Sequence, residues 1–205
     1  MVFYLDGLER SGNVFLSYAI GLSFGRELRS LRTHKVETLK DYDQDKPFIV
    51  PLRDALPSIV SAKIFRDYVH HNNLFSDNDS TEIDIERIIS RYKEYTSYLI
   101  ESPKFFIAPF HHFIKDHNPV LEKICKFYND PEIKIIKKYN KEDLFKQIDI
   151  KNTEEYKYHP EIGNFPRKAS QEKEKMKKWI NSSYGTEIKS IQDNIDILYS
   201  RYNSI

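Results

Sequence analysis

A glycine-containing loop follows the first apolar run of the chain and has the residue types of an anion-binding site. The stretch GLERSGNVF, residues 7–15, places Gly7 and Gly12 at the spacing of a phosphate-binding loop, G-x-x-x-x-G-K-[ST]. Asn13 stands where that motif has its lysine, and Val14 stands where it has the Ser or Thr that binds magnesium. The loop therefore predicts a phosphate site that is not built for Mg-ATP.

Two further polar stretches follow apolar runs and add charge to this loop. Arg53 comes directly after PFIVPL, and Ser61 lies about two helical turns further on. We expect Arg10 and Arg53 to converge on an anion, because the planar guanidinium group binds phosphate through two hydrogen bonds. In the stretch RTH (32–34), His34 is a side chain that can take up a proton near pH 7.

The order of apolar runs along the chain predicts the architecture that positions these groups. Alternating strands and helices favour a three-layer α/β/α fold with a mostly parallel central sheet, a P-loop-like strand-loop-helix and a helical C-terminal extension. We expect one domain over residues 1–205, with a core at about 1–150 and C-terminal loop and helices at about 151–205. Ligands should then lie at the carboxyl ends of the strands.

Each predicted element has a defined stretch of sequence. Strands are predicted at VFYLDG (2–7), SLRTH (30–34), PFIVPL (47–52), KFFIAPF (104–110) and EIKIIKKY (132–139). Helices are predicted at 13–28, 53–69, 76–99, 118–128, 140–148, 172–180 and 187–202. The helix at 76–99 has a start signal at residues 79–81, and Asn140 is the expected cap of the helix that follows it.

Composition narrows the classes of partner. The 32 Lys and Arg residues nearly balance the 31 Asp and Glu residues, so net charge gives no reason to expect a nucleic-acid surface. No run approaches the roughly 18 apolar residues of a membrane span, and no basic-then-apolar signal segment opens the chain. The single cysteine, Cys125, excludes an intramolecular disulfide and is expected to be a small buried residue. These observations predict a cytoplasmic protein without a membrane partner.

Two histidine pairs, His70-His71 and His111-His112, raise the question of a zinc site. Neighbouring residues on a strand point to opposite faces, so neither pair would chelate a metal by itself. We therefore predict no metal site.

Taken in chain order, the motifs resemble those of the cytosolic-type sulfotransferases, which use 3′-phosphoadenosine 5′-phosphosulfate (PAPS). The family's [KR]-S-G-T-T-W loop, which binds the 5′-phosphosulfate, is similar to Arg-Ser-Gly-Asn-Val-Phe at 10–15. Its K-T-H motif is similar to Arg-Thr-His at 32–34. Its R-[ND]-x-x-D-x-x-x-S motif resembles residues 53–61, with Arg53, Asp54 and Ser61 in register.

Two later landmarks also resemble the family. Its strand ending in Y-E-D-[LM] is similar to the stretch at 104–112, where Phe110 takes the Tyr position and His111-His112 replace the two acids. Its R-K-G loop over the 3′-phosphate is similar to Arg167-Lys168, followed by Ala169. The five landmarks together span residues 4–168.

The resemblance implies transfer of a sulfuryl group from PAPS to the hydroxyl of a sugar, lipid, phenol or peptide, without a metal. It implies that His34 is the general base and that Arg10, with Arg32 as a second candidate, neutralises charge on the leaving oxygen. The interval between the loop and RTH is shorter than in the family, which favours an open site and a bulky or carbohydrate acceptor. The residues that it implies for donor binding are Arg10, Ser11, Gly12, Asn13, Val14, Phe15 (beside the adenine), Arg53, Ser61, Arg167 and Lys168.

Two other classes of protein remain open on the sequence. A nucleotide or nucleoside kinase-like P-loop protein would share the glycine spacing, although it normally carries the loop lysine that Asn13 replaces. A non-catalytic descendant that binds an anion or a partner would account for the loss of the loop hydroxyls at Asn13 and Val14.

Overall fold

A four-stranded, all-parallel sheet forms the centre of the protein. The computed structural model describes residues 2–8, 11–26, 28–31, 33–42, 46–71, 84–155 and 171–205. The strands are β1 (Phe3–Leu5), β2 (Leu28–Ser30), β3 (Phe48–Leu52) and β4 (Phe106–Pro109), in the spatial order β2-β1-β3-β4. The chain moves from β1 outward to β2 and then returns across β1 to β3, so the order of strands reverses between β1 and β3. Such a reversal opens a crevice at the carboxyl ends of the two strands, where ligands bind in this class of sheet.

Eight helices cover the sheet within the described part of the chain. They are α1 (Asn13–Phe24), α2 (Val36–Lys40), α3 (Ala55–His71), α4 (Ile85–Glu101), α5 (Phe110–Lys115), α6 (Asn118–Tyr128), α7 (Lys141–Glu155) and α8 (Gln171–Ser204). Asp84 caps α4 by accepting a hydrogen bond from the N–H of Glu86 at 3.2 Å. Asn140 caps α7 as expected, since its side-chain oxygen accepts from the N–H of Asp143 at 2.8 Å.

The sheet separates two apolar cores, because successive strand residues point to opposite faces. Phe48, Val50 and Leu52 of β3 pack with α2, α3, α4 and α8, whereas Ile49 packs on the other side with α1, α5, α6 and α7. The predicted three-layer α/β/α fold is therefore confirmed. No helix among the described residues is long and apolar enough to cross a bilayer.

The C-terminal helix is part of one layer rather than an appendage. α8 bends at Tyr184, whose φ of −133° is not helical, and so joins the two helices predicted at 172–180 and 187–202. Its buried stripe of isoleucine and leucine, including Ile188, Ile191 and Ile195, packs in the same core as α3 and α4. Its last turn reaches the edge of β4, where Tyr202 lies edge-on to Phe106.

Two strand predictions require correction. The stretch EIKIIKKY (132–139) is irregular; it crosses the end of α1, where the N–H groups of Ile136 and Lys137 donate to the carbonyl of Ser23. Satisfying the last carbonyls of α1 takes precedence over strand pairing here. The strand predicted at 30–34 lies earlier, at 28–30, because Phe3 pairs with Leu28 and the chain then turns out of the sheet.

Two other predictions concern residues outside the described ranges. The start signal at 79–81 falls among them, and the described helix begins at Ile85. The predicted loop around residues 156–170 also lies outside them.

Candidate functional site

The loop between β1 and α1 needs its two glycines for steric reasons. A Cβ atom on Gly7 would lie 2.5 Å from the carbonyl oxygen of Pro51 on β3, so this part of the loop has no room for a side chain. Gly12 has a φ of 84°, in the left-handed region, and a Cβ there would lie 2.8 Å from the ring of Phe113 and 2.9 Å from that of Phe110. The glycine spacing therefore reflects a loop held tightly between β3 and α5.

The start of α1 offers backbone groups to a ligand. Gly12 begins the helix without a side-chain cap, and the first turn contains no acidic residue. The Asn13 amide turns back into the loop, where Nδ2 donates to the carbonyls of Gly7 at 3.1 Å and Leu8 at 3.3 Å. Ser11 is fully buried and its N–H donates to the carbonyl of Leu8. An anion would therefore meet the N–H groups and the positive end of the α1 dipole.

His34 lies beside this loop, in the segment that leaves β2. Its Nδ1 is 2.5 Å from the carbonyl oxygen of Gly7. A carbonyl oxygen can only accept a hydrogen bond, so Nδ1 carries the proton and Nε2 has the free lone pair. The backbone of His34 has a φ of 56°, in the left-handed region, which is incompatible with the strand predicted at 30–34.

Asp6, at the end of β1, links His34 to the loop. Its carboxylate is fully buried and accepts hydrogen bonds from the Gly7 N–H at 3.1 Å, the Thr33 hydroxyl at 2.7 Å and the His34 N–H at 3.2 Å. Burial raises the pKa of Asp6 above its usual 3.8, and the Thr33 hydrogen bond and the charge of His34 act in the opposite direction. The sequence analysis did not identify Asp6.

Arg53 approaches the same loop from β3. Its guanidinium group lies over the ring of Phe110, 4.8 Å from the ring centre, and that ring is the one packed against Gly12. Arg53 and the start of α1 are thus separated by a single aromatic ring. Burial lowers the pKa of Arg53 below its usual range, while Tyr92 and the Asp54 carboxylate act to raise it.

α8 covers the start of α3, next to Arg53. The side-chain oxygen of Gln192 accepts a hydrogen bond from the N–H of Ala55 at 2.9 Å. The Tyr199 hydroxyl donates to the carbonyl of Leu52 at 3.2 Å. Burial raises the pKa of this hydroxyl, and the neighbouring Asp54 carboxylate raises it further. The first backbone donor of α3 is therefore already used within the protein.

Ser61 and Phe15, two further expected donor-binding residues, are buried, as Ser11 and Asn13 are. Ser61 is buried in the second turn of α3, which is about 9 Å along the helix from Ala55. Phe15 is 6% exposed and packs against Phe113 and Phe145 at ring distances of 6.0 and 5.1 Å. This packing occupies the Phe15 ring and gives no support to its stacking on an adenine.

Of the remaining residues expected at the site, the structure describes Val14 and does not describe four others. Val14 is partly exposed in the first turn of α1. Arg10, Arg32, Arg167 and Lys168 lie outside the described residues, so their assignments remain predictions from the sequence.

The histidine pair at 111–112 lies on α5, not on a strand. Both residues are exposed, their ring centres are 4.5 Å apart, and each lies against a tyrosine of α8. Among the described residues, no group of three or more His, Cys, Asp and Glu side chains is arranged to bind a metal. Cys125 is partly buried, and burial raises the pKa of its thiol.

Three residues near the candidate site were not predicted from the sequence: Asp6, Gln192 and Tyr199. Asp6 had a weak signal, because it directly follows a short apolar run and precedes Gly7, and an aspartate is rarely buried. Gln192 and Tyr199 had no signal in the sequence, because their contacts depend on where α8 packs. Gln192 is 137 positions from its partner Ala55, and Tyr199 is 147 positions from its partner Leu52.

No protein-family model matches this chain, and no curated protein or solved structure shows significant similarity to it.

Proposed function

We propose that this protein is a sulfotransferase that moves a sulfuryl group from PAPS to an acceptor hydroxyl, with His34 as the general base. One observation carries the proposal: the His34 ring is bonded through Nδ1 to a carbonyl of the loop that opens onto α1. Nε2 is then the nitrogen that accepts a proton. The proposed base therefore lies beside a loop that has Asn13 at the lysine position of the phosphate-binding motif and Val14 at the position of the magnesium-binding Ser or Thr.

The chemistry follows from these positions. The acceptor hydroxyl gives its proton to Nε2 of His34, and its oxygen forms a bond to the sulfur of PAPS. The bond between sulfur and the bridging oxygen breaks, and its electron pair stays on the 5′-phosphate, so adenosine 3′,5′-bisphosphate leaves. As in phosphoryl transfer, the protein supplies orientation and charge stabilisation. We assign the stabilisation of the leaving oxygen to Arg10, with Arg32 as the second candidate.

Donor binding uses both sides of the crevice. The N–H groups at the start of α1 bind the 5′-phosphosulfate, and Arg53 binds the 3′-phosphate from β3. Arg53 lies over the ring of Phe110, and that ring also packs against Gly12. This arrangement supports the assignment, because it brings the cation near the loop between β1 and α1. Arg167 and Lys168 are assigned to the 3′-phosphate on the family resemblance alone. The same holds for Ser61, whose burial in α3 gives this assignment no support.

Calorimetry distinguishes this proposal from the two alternatives. The protein is titrated with adenosine 3′,5′-bisphosphate and, separately, with ATP and magnesium. Tighter binding of the bisphosphate supports the sulfotransferase, preference for ATP supports a kinase-like protein, and binding of neither supports a non-catalytic descendant. Transfer of radiolabelled sulfate from PAPS to a panel of sugars, phenols, lipids and peptides then identifies the acceptor class.

Replacing the base tests the mechanism itself. We expect His34→Ala to reduce the transfer rate at least about a hundredfold, because general base catalysis is lost, and to leave the Kd for the bisphosphate unchanged. His112→Ala is the matched control, since His112 is exposed on α5. A His34→Ala enzyme with the wild-type rate would refute the assignment of the base.

A further inference from the structure

The carboxylate of Asp6 is an unusual group to bury. It lies at the end of β1 with no exposed surface, next to the apolar core. Burying a carboxylate is unfavourable unless hydrogen bonds or a cation compensate. The raised pKa of Asp6 has this cause, since burial outweighs the groups that stabilise the ionised form. The structure compensates for this burial through the hydrogen-bond donors around Asp6 and through the nearby ring of His34.

Those partners are the loop and the segment that carries His34. The Thr33 hydroxyl donates to Oδ2 of Asp6, and the Thr33 oxygen lies 2.8 Å from the hydroxyl of Thr38 on α2. The His34 N–H reaches both carboxylate oxygens, at 3.3 and 3.2 Å. The remaining donor is the N–H of Gly7, the residue whose carbonyl holds the His34 ring. Asp6 thus binds the backbones of Gly7 and His34, the two residues whose hydrogen bond (Nδ1 to the carbonyl of Gly7) sets the tautomer of the ring.

The contacts also have an electrostatic consequence. Oδ1 of Asp6 lies 3.6 Å from Nδ1 of His34. When Nε2 takes a proton, the ring becomes a cation with the carboxylate directly behind it, on the side opposite the substrate. Opposite charges at this distance stabilise the protonated ring.

We propose that Asp6 is the positioning residue of the base: it holds His34 in its left-handed conformation beside Gly7 and stabilises the imidazolium that forms during transfer. This inference rests on the proposed function of His34. It assigns to Asp6 a role through His34 and no contact with the substrate.

Asp6→Asn tests the role of the charge. The amide has nearly the same shape, its oxygen still accepts from the N–H groups of Gly7 and His34, and its NH₂ can donate to the Thr33 oxygen, because a hydroxyl can reverse its role. We expect this variant to fold with a free energy of unfolding no lower than that of the wild type. The turnover number should fall about 10- to 100-fold, as is usual for the partner that orients a functional histidine, with an unchanged Kd for adenosine 3′,5′-bisphosphate.

The protonation of His34 gives a readout that does not need activity. In ¹⁵N NMR of the ring, we expect the neutral wild-type ring to be protonated on Nδ1. In Asp6→Asn, the share of neutral rings protonated on Nδ1 should fall, because the carboxylate 3.6 Å from Nδ1 no longer favours a proton there. Asp41→Asn is the matched control, because Asp41 is exposed beside α2, and it should change neither the tautomer of His34 nor the turnover number.

Thr33 provides a second, independent pair of variants. Thr33→Val removes the hydroxyl that donates to Asp6, whereas Thr33→Ser retains it. We expect Thr33→Val to lower the turnover number and Thr33→Ser to restore most of it. If the Thr33 hydroxyl had only a structural role, Thr33→Val would lower the bisphosphate affinity and the melting temperature together with the turnover number.

The outcomes separate the inference from the proposed function. If wild-type protein does not transfer sulfate, the proposed function fails, and the ¹⁵N spectra still decide the link between Asp6 and His34. An unchanged share of the Nδ1-protonated ring in Asp6→Asn, or a wild-type ring protonated on Nε2, overturns the inference. Wild-type turnover in Asp6→Asn overturns it as well.

Discussion

The helices α1 and α3 both follow neighbouring parallel strands, β1 and β3, but the backbone groups at their starts have different partners. The start of α1 has a glycine cap, no acidic residue in its first turn and no side chain bonded to it as a cap. The start of α3 is covered by α8, where Gln192 accepts from the Ala55 N–H and Tyr199 donates to the carbonyl of Leu52. Both positions have the same helix dipole, yet the first backbone donor of α3 already has a side-chain acceptor, whereas α1 has no side-chain cap.

The difference arises from the contacts that the rest of the chain makes with each helix start. On the α1 side, the Asn13 amide stabilises the loop from within and does not cap the helix. On the α3 side, the Ala55 N–H is bonded to Gln192 of α8. If the proposed donor site is correct, α1 should therefore act through its backbone, and β3 should act through the side chain of Arg53.

Adding a methyl group at Gly12 should close the α1 side. Gly12→Ala requires a left-handed alanine, which costs about 1–2 kcal/mol, and puts Cβ against the rings of Phe110 and Phe113. We expect a bisphosphate Kd raised more than tenfold and a lower melting temperature. In Gly185→Ala, the matched control, the new Cβ meets no atom within 4 Å. Because Gly185 lies within α8, this change should stabilise the protein by up to about 1 kcal/mol. Unchanged affinity in Gly12→Ala would break the comparison.

Replacing Arg53 with lysine should affect the 3′-phosphate alone. Lysine lacks the planar group that lies over Phe110 and binds phosphate as a point charge. We expect the Kd for adenosine 3′,5′-bisphosphate to rise about tenfold, equivalent to about 1.4 kcal/mol, and the Kd for 5′-AMP to stay the same in calorimetry. Arg87→Lys, at an exposed position on α4, serves as the control. An equal loss for both nucleotides would show that Arg53 does not distinguish the two phosphates.

Removing the cap of α3 should change stability without changing binding. Gln192→Ala leaves the Ala55 N–H without its acceptor, and we expect a free energy of unfolding lower by about 1 kcal/mol, measured by chemical denaturation. The bisphosphate Kd should not change. Gln147→Ala, on the exposed side of α7, controls for loss of a glutamine. Weaker bisphosphate binding in Gln192→Ala would mean that the α3 start takes part in the site.

The sequence predicted β3 well and β2 poorly, for a physical reason. PFIVPL is apolar at every position because both faces of β3 are buried, and the observed strand covers 48–52 of the predicted 47–52. SLRTH has no such pattern, since β2 is a short, partly exposed edge strand of three residues. EIKIIKKY alternates like a strand, but it lies across the end of α1, where it satisfies the carbonyl of Ser23.

From the sequence one could predict the α/β class, the glycine loop after β1, and the presence of His34 and Arg53 after two strands, which the structure places on either side of β1. These features are local: they follow from the period of apolar residues and from what glycine, arginine and histidine can do. The tertiary structure alone decided that Asp6 joins the loop to His34, that Nδ1 faces Gly7, and that α8 covers the start of α3. Each of those contacts joins residues 27 or more positions apart, and no local pattern encodes where such residues meet.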